Sequence, residues 1–216
     1  MCGALGGACG GASPCGRGPA MTPLNCDGLT PIPATHVAAV VTSLEMRNRP
    51  PLPDAPELPL AALGADLPRY RALFARIGTP WLWFSRRRMA DAALAAILTD
   101  PAVEALALTR DGHDIGLVEL DARVEGEVEI AFLGLVPEAV GRGIGRQLMG
   151  EALRRAWARP VSRVWVHTCT FDHPSAIGFY QASGFTPFAR AIEVVPDPRL
   201  SGHLPREAAP HVPVLA

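Results

Sequence analysis

The sequence predicts a mixed α/β fold: a mostly antiparallel, twisted sheet flanked by helices. Three observations carry that prediction. Two strand-like runs meet at Asp111-Gly112, a dipeptide suited to a tight hairpin. Val128, Ile130 and Phe132 alternate with Glu127, Glu129 and Ala131, as a long half-buried strand requires. A Gly-rich turn, an amphipathic helix and another strand then follow, giving a strand–helix–strand second half after an antiparallel first half.

The elements follow in order. Residues 36–46, HVAAVVTSLEM, read as a first strand. Pro50–Pro59 holds five prolines and reads as a stiff connection. Over 66–77, Leu67, Tyr70, Leu73, Phe74 and Ile77 recur at helical spacing, and a second helix is expected near 89–98. Strands are expected at 103–109, 114–121 and 125–136. The last loses its alternation in Phe132-Leu133-Gly134-Leu135-Val136, where the Gly marks a bulge or a close backbone approach. Ile144, Leu148, Met149, Ala152, Leu153, Ala156 and Trp157 give a helix over 143–158 a clear apolar face. A strand at 162–168, a short helix at 174–182 ending on Ser183-Gly184, and a last strand at 185–195 complete the order. One domain is expected over 31–196, between a low-complexity Gly/Cys/Pro-rich leader at 1–30, expected to be disordered, and an irregular Pro-rich tail at 197–216.

Composition narrows the function. The 216 residues are 49% hydrophobic, with a formal net charge of −1, which argues against nucleic acid as the main partner. No apolar run reaches the ~18–20 residues of a membrane span, and residues 1–20 lack the apolar centre of a secretory signal, so a cytoplasmic protein is expected. All 20 basic residues are Arg, which removes lysine-dependent chemistry: the P-loop, the Schiff base and the lysine base. The five cysteines (Cys2, Cys9, Cys15, Cys26 and Cys169) form no C-x-x-C pair, and neither a disulfide framework nor a metal cluster is expected. His167, Cys169, Asp172 and His173 look like a metal set only by type; Cys169 is expected to pack or to meet substrate as a thiol. Tyr70, Trp81, Trp83 and Phe84 either pack as core or line a pocket. Arg86-Arg87-Arg88 reads as a solvated face, with an anion site as the minority alternative.

The strongest motif is Val140-Gly141-Arg142-Gly143-Ile144-Gly145, followed by Arg146, between a strand and a helix. Such a turn exposes backbone N–H groups at the positive end of a helix, the arrangement that binds phosphate. A dinucleotide-binding fingerprint requires G-x-G-x-x-G and an acid about 20 residues on. This loop is G-x-G-x-G, and Ser162 and Arg163 stand where the acid belongs.

The spacing instead resembles [R/Q]-x-x-G-x-[G/A], the pyrophosphate loop of the GCN5-related N-acetyltransferase (GNAT) superfamily. Residues 134–149, GLVPEAVGRGIGRQLM, look like its acetyl-CoA motif. Residues 173–185, HPSAIGFYQASGF, are similar to its second motif, N-x-x-A-x-x-x-Y-x-x-x-G-F. The resemblance covers about 36–195. Val140 departs from the usual Arg or Gln, and His173 from the usual Asn.

The resemblance implies a GNAT-like acyl-CoA N-acyltransferase fold and an enzyme that transfers acetyl from acetyl-CoA to a primary amine of a small-molecule or peptide acceptor, without a metal. The long strand would splay from its neighbour at a bulge. Backbone groups of Leu133, Gly134 and Leu135 would pair with the pantetheine arm, and one N–H would stabilise the oxyanion. Residues 140–146 and His173 would hold coenzyme A. Glu129 is the candidate general base and Tyr180 the candidate general acid, also touching the co-substrate. The assembly stays open, dimers being frequent among similar proteins. The alternative is a non-catalytic acyl-CoA-binding or sensing module.

Overall fold

The computed structural model describes residues 24–52 and 58–215; the leader through residue 23 and the middle of the proline-rich connection lie outside them. Strands β1 (His36–Met46), β2 (Leu60–Ala62), β3 (Val103–Arg110), β4 (His113–Asp121), β5 (Glu127–Leu135), β6 (Arg163–Cys169) and β7 (Thr186–Pro196) form one sheet. Its order is β2-β3-β4-β5-β6-β1-β7. Every neighbouring pair is antiparallel except β5 and β6. Helices α1 (Leu67–Gly78) and α2 (Asp91–Leu98) precede the β3–β4 hairpin; α3 (Ile144–Ala156) and α4 (Ala176–Ala182) flank β6 in the chain.

Local chemistry sets the ends. Asp66 caps α1 by accepting from the Arg69 N–H, and Pro68 sits in the first turn, where no intrahelical donor is needed. Asp111 and Gly112 both take positive φ (52° and 78°), as the tight β3–β4 turn demands. Tyr70, Leu73, Phe74 and Ile77 form the buried stripe of α1; Leu148, Met149, Ala152, Leu153 and Ala156 form that of α3.

Two features lie beyond the sequence reading and a third moves the bulge away from Gly134. β2 follows the prolines as a three-residue edge strand on β3. The first strand lies between β6 and β7. The bulge falls at Ala131: Glu119 stands opposite Phe132, and Leu120 opposite Ile130. The extra residue reverses the alternation. Phe132 therefore shares the face of Glu119 and Glu129, against α1, whereas Val128 and Ile130 face α3.

The C-terminal segment has no helix or strand but packs onto the sheet. Leu204, Ala208 and Ala209 are buried with Val37, Val41, Leu82 and Phe84. Arg199 fixes it, pairing with Asp197 at 2.7 Å and donating to the carbonyls of Ala208 and Val212. Cys26 is a free, exposed thiol. Cys169 is disulfide-bonded, which corrects its reading as a thiol.

Candidate active site

β5 and β6 pair over only three rungs: Glu127 with Arg163, Val128 with Val164, Glu129 with Trp165. Beyond them the strands part. Ile130–Leu135 continues against β4, and Val166–Cys169 continues against β1. The sheet is thus split, with the unpaired edges of β5 and β6 as its lips.

The backbone pattern identifies the groups that face the split. Val136 donates to the Ile115 carbonyl, on the β4 side. Successive residues of a strand point their amides to opposite edges. Gly134 and Phe132 therefore turn toward β4, and Leu133 and Leu135 turn their N–H and C=O groups into the split. Of the three residues expected to present backbone there, Gly134 does something else. A Cβ at Gly134 would lie 2.5 Å from Ile77 Cγ2 and 3.1 Å from Trp83 Cη2, so its missing side chain lets α1 and Trp83 reach the strand.

At the C-terminal end of β5, the chain turns through Val140–Gly143 into α3. Gly141 and Gly143 take φ of +82° and +76°, and a Cβ at either would meet nothing within 4 Å. No side chain caps α3. Among the described residues, the backbone N–H groups from Gly141 to Gly145 make no hydrogen bond. Five amides at the positive end of a helix thus have no hydrogen-bond acceptor among the described residues. Val140 is exposed, and the Arg142 and Arg146 side chains flank the loop at the surface.

At the closed end of the split lies Glu129. Its Oε1 is 3.1 Å from His167 Nδ1, and both side chains are largely buried. Glu129 stands on the last shared rung, and His167 follows two residues later on the same face. Sequence reading proposed Glu129 alone; the parallel register adds His167. Glu193 of β7 shares that face. Burial pushes its carboxyl up, against the opposing pull of His167 and Arg88.

Tyr180, on α4, is buried between Phe179 and Phe185. Burial, reinforced by the Asp172 carboxylate, pushes its phenol well above the ordinary range and keeps the proton on oxygen. His173 is exposed and stands edge-on to Trp81. Its Nδ1 accepts from the Ser175 N–H at 3.1 Å, so a neutral ring carries its proton on Nε2. Sequence reading gave His173 the place of an Asn; a side-chain acceptor for the amide two residues on is what an Asn supplies there.

Two polar groups were not legible as site components. Asp172 follows β6 and accepts from Trp83 Nε1 (3.0 Å), Thr168 Oγ1 (2.7 Å) and the Cys169 N–H (2.9 Å). Glu119, fully buried beside the bulge, accepts from Tyr70 Oη and Arg86 Nη2, each at 2.5 Å. Arg86 is therefore no solvated cation: it is buried over the Phe132 ring. Tyr70, Trp83 and Phe84 are core, whereas Trp81 sits partly exposed between His173 and His211. Among the described residues, no group of three His, Cys, Asp or Glu is placed to hold a metal, and no helix is long and apolar enough to cross a membrane.

Residues 70–185 match the acetyltransferase (GNAT) family. No curated protein matches the chain in sequence. A solved structure from Novosphingobium aromaticivorans, assigned to the GNAT acetyltransferases, superposes with a TM-score of 0.55 at 19% identity, over 75% of this chain and 66% of that one. A GCN5-related N-acetyltransferase from Sphaerobacter thermophilus gives 0.53 at 20% identity, over 73% and 51%. The ribosomal-protein-S18-alanine N-acetyltransferase of Escherichia coli gives 0.51 at 17%, over 65% and 94%. The chain thus spans less than two thirds of the first two, and at these identities the likeness is one of fold.

Proposed function

The chain belongs to the acetyltransferase (GNAT) family, and from that premise we propose that it is an acetyl-CoA-dependent N-acetyltransferase acting by direct attack of a primary amine, carried by a small-molecule or peptide acceptor. The observation that carries this reading is the split between β5 and β6, headed by five unpartnered amides at the start of α3.

The residues fit the co-substrate. Side-chain-free positions at Gly141 and Gly143 let a diphosphate approach the amides, and Arg142 and Arg146 add positive charge beside them. Leu133 and Leu135 offer strand-like donors and acceptors to the two amides of a pantetheine arm. Bound acetyl-CoA supplies an acetyl thioester, whose C–S bond breaks as the C–N bond to the amine forms.

The chain's own residues handle two protons and one developing charge. Glu129, paired with His167, takes the proton that the amine sheds. A split-facing N–H of Leu133 or Leu135 stabilises the thioester oxygen as it gains charge. Tyr180, held protonated by its buried surroundings, donates its proton to the CoA sulfur as it departs. Holding both reactants in one cleft supplies much of the remaining advantage.

The test needs no knowledge of the acceptor at first. Acetyl-CoA and CoA at about 100 times Kd should each raise Tm by about 5–10 °C. Stabilisation by NADH alone would overturn the reading. Thiol release across a panel of amines then separates the enzyme from a non-catalytic acyl-CoA-binding module. With an accepted amine, Glu129→Gln should lower kcat about 100-fold or more with CoA affinity nearly intact, and Tyr180→Phe should lower it likewise. Wild-type rates in both variants would refute the assigned roles.

A further inference from the structure

Asp172 and Trp83 join the two lips of the split from beneath. Trp83 belongs to the β5 side. Its indole edge stands against the Gly134 backbone, its ring packs on Phe132 and Phe74 at centroid distances of 5.3 and 5.4 Å, and Gly78 of α1 has no side chain to obstruct it. Asp172 belongs to the β6 side, anchored by Thr168 Oγ1 and the Cys169 N–H. The bond from Trp83 Nε1 to Asp172 Oδ1, 3.0 Å long, spans the gap between strands that no longer pair.

The tie lies where an acyl group must go. In the reading proposed above, on which this inference rests, the diphosphate sits at 141–145 and amine activation occurs at Glu129. The stretch between Gly134 and the Glu129 rung then receives the thioester. One face of that stretch is paved by Trp83 and Phe132. The other is closed by Ile130 and Val166, both buried and on one face by the β5–β6 register. Among these walls, the indole alone is held by a polar bond reaching from one lip to the other.

We infer that Trp83 is a specificity-determining residue that restricts the acyl group to acetyl, and that Asp172 is the positioning residue that holds it by fixing the width of the split. A butyryl group adds two methylenes, which require the indole to move or the lips to part. Closely packed walls of this kind reject surplus methylenes about 10-fold or more each.

Calorimetric titration of the full chain with CoA, acetyl-CoA and butyryl-CoA tests this without an acceptor. Wild type should bind acetyl-CoA about 100-fold more tightly than butyryl-CoA, about 10-fold for each of the two methylenes. Trp83→Phe loses the N–H, and Asp172→Ala loses its acceptor. Each should bring the two affinities to within about 3-fold, with free CoA affinity little changed. Asp172→Asn leaves one oxygen for the three donors that Asp172 now accepts from, and should shift the ratio in the same direction as Asp172→Ala with free CoA affinity little changed, a pattern that a general packing defect would not give. Trp83→Ala should shift the ratio further where it folds, as judged by circular dichroism. An unchanged ratio in both Trp83→Phe and Asp172→Ala overturns the inference while leaving CoA binding intact. Equal wild-type affinities for the two thioesters overturn it as well. A wild type that binds no CoA overturns the functional reading itself, and this inference with it.

Discussion

A methyl group at Gly134 should change the sign of its effect according to what stands at position 77. Gly134 has no positive φ, so alanine is conformationally allowed. In a strand, Gly→Ala ordinarily stabilises by roughly 0.5–1 kcal/mol through backbone entropy. Here the new Cβ would lie 2.5 Å from Ile77 Cγ2 and 3.1 Å from Trp83 Cη2. Carbon atoms rest at about 3.5–4.0 Å, so Ile77 must retreat by about 1 Å and Trp83 by a few tenths. Both are buried in a packed core. Overpacking of this kind costs about 1–3 kcal/mol, and Gly134→Ala should be destabilising overall. Ile77→Ala alone should cost about 2–5 kcal/mol as a cavity. In that background the Cβ of position 134 gains the vacated space, and Gly134→Ala should be neutral or stabilising. Urea denaturation of the four proteins measures the cycle, with a coupling of about 1–3 kcal/mol expected. Additive effects would mean that α1 does not reach the backbone of the split strand.

The remaining predictions concern the binding loop, the buried network and acid stability. Gly143→Ala, at φ +76° with open space around it, should lower stability by about 1–2 kcal/mol; isothermal titration should show a larger loss for CoA than for folding, because the methyl enters the amide cradle. Glu119→Gln leaves the Arg86 cation buried without its counter-charge and should destabilise by about 3–5 kcal/mol, whereas the apolar triple variant Tyr70→Phe/Arg86→Met/Glu119→Leu should recover most of it in urea melts. Asp114 is held below the usual carboxylate range by hydrogen bonds from Arg69; at Asp197, burial acts upward but the Arg199 bonds outweigh it, so its carboxyl is also lowered. A carboxyl lowered in the folded state stabilises above its unfolded value of about 3.9 and loses that contribution as pH falls through the folded value. The contribution of these two carboxyls is therefore full down to about pH 4, and urea midpoints should drop below it, less steeply in Arg199→Met.

The sequence exposed most element boundaries because they rest on short-range signals. The Leu67–Ile77 periodicity, the Asp111-Gly112 turn and the Gly-rich entry to α3 each lie within a dozen residues, and each reappears within a residue or two in the structure. What the sequence hid depends on partners far along the chain. Phe132 looks in phase with Val128 and Ile130 until the register against β4 inserts Ala131 as an extra residue. Arg86 sits in a run of three arginines that reads as surface, and only Glu119, 33 residues later and enclosed by apolar neighbours, draws it inside. Glu129 was legible as a lone acid; His167 beside it follows from a parallel pairing that no local pattern announces. Asp172 resembled a stray metal ligand because its partners, Trp83 above all, come from another part of the chain.

The place of β1 explains how a split sheet remains stable. A strand edge inside a protein carries N–H and C=O groups that need partners. Ile130–Leu135 satisfies one edge on β4, and Val166–Cys169 satisfies one edge on β1, which is itself held by β7 along nearly its whole length. Each lip therefore keeps one paired edge and turns one open edge toward the other. Direct closure would need the two lips to rejoin beyond Glu129, but the Ala131 bulge bends β5 away and the Trp83–Asp172 bond spans the gap from below. The open edges then match a slender chain with amide groups of its own, and the loop at 141–145 supplies the complementary end for a diphosphate. One ligand that joins a diphosphate to an amide-bearing arm satisfies both sets of groups at once, whereas a free nucleotide satisfies only the loop. The corresponding observation is a paired titration: pantetheine and ADP should occupy the cleft together without excluding one another, and mutual exclusion would place the arm outside the split.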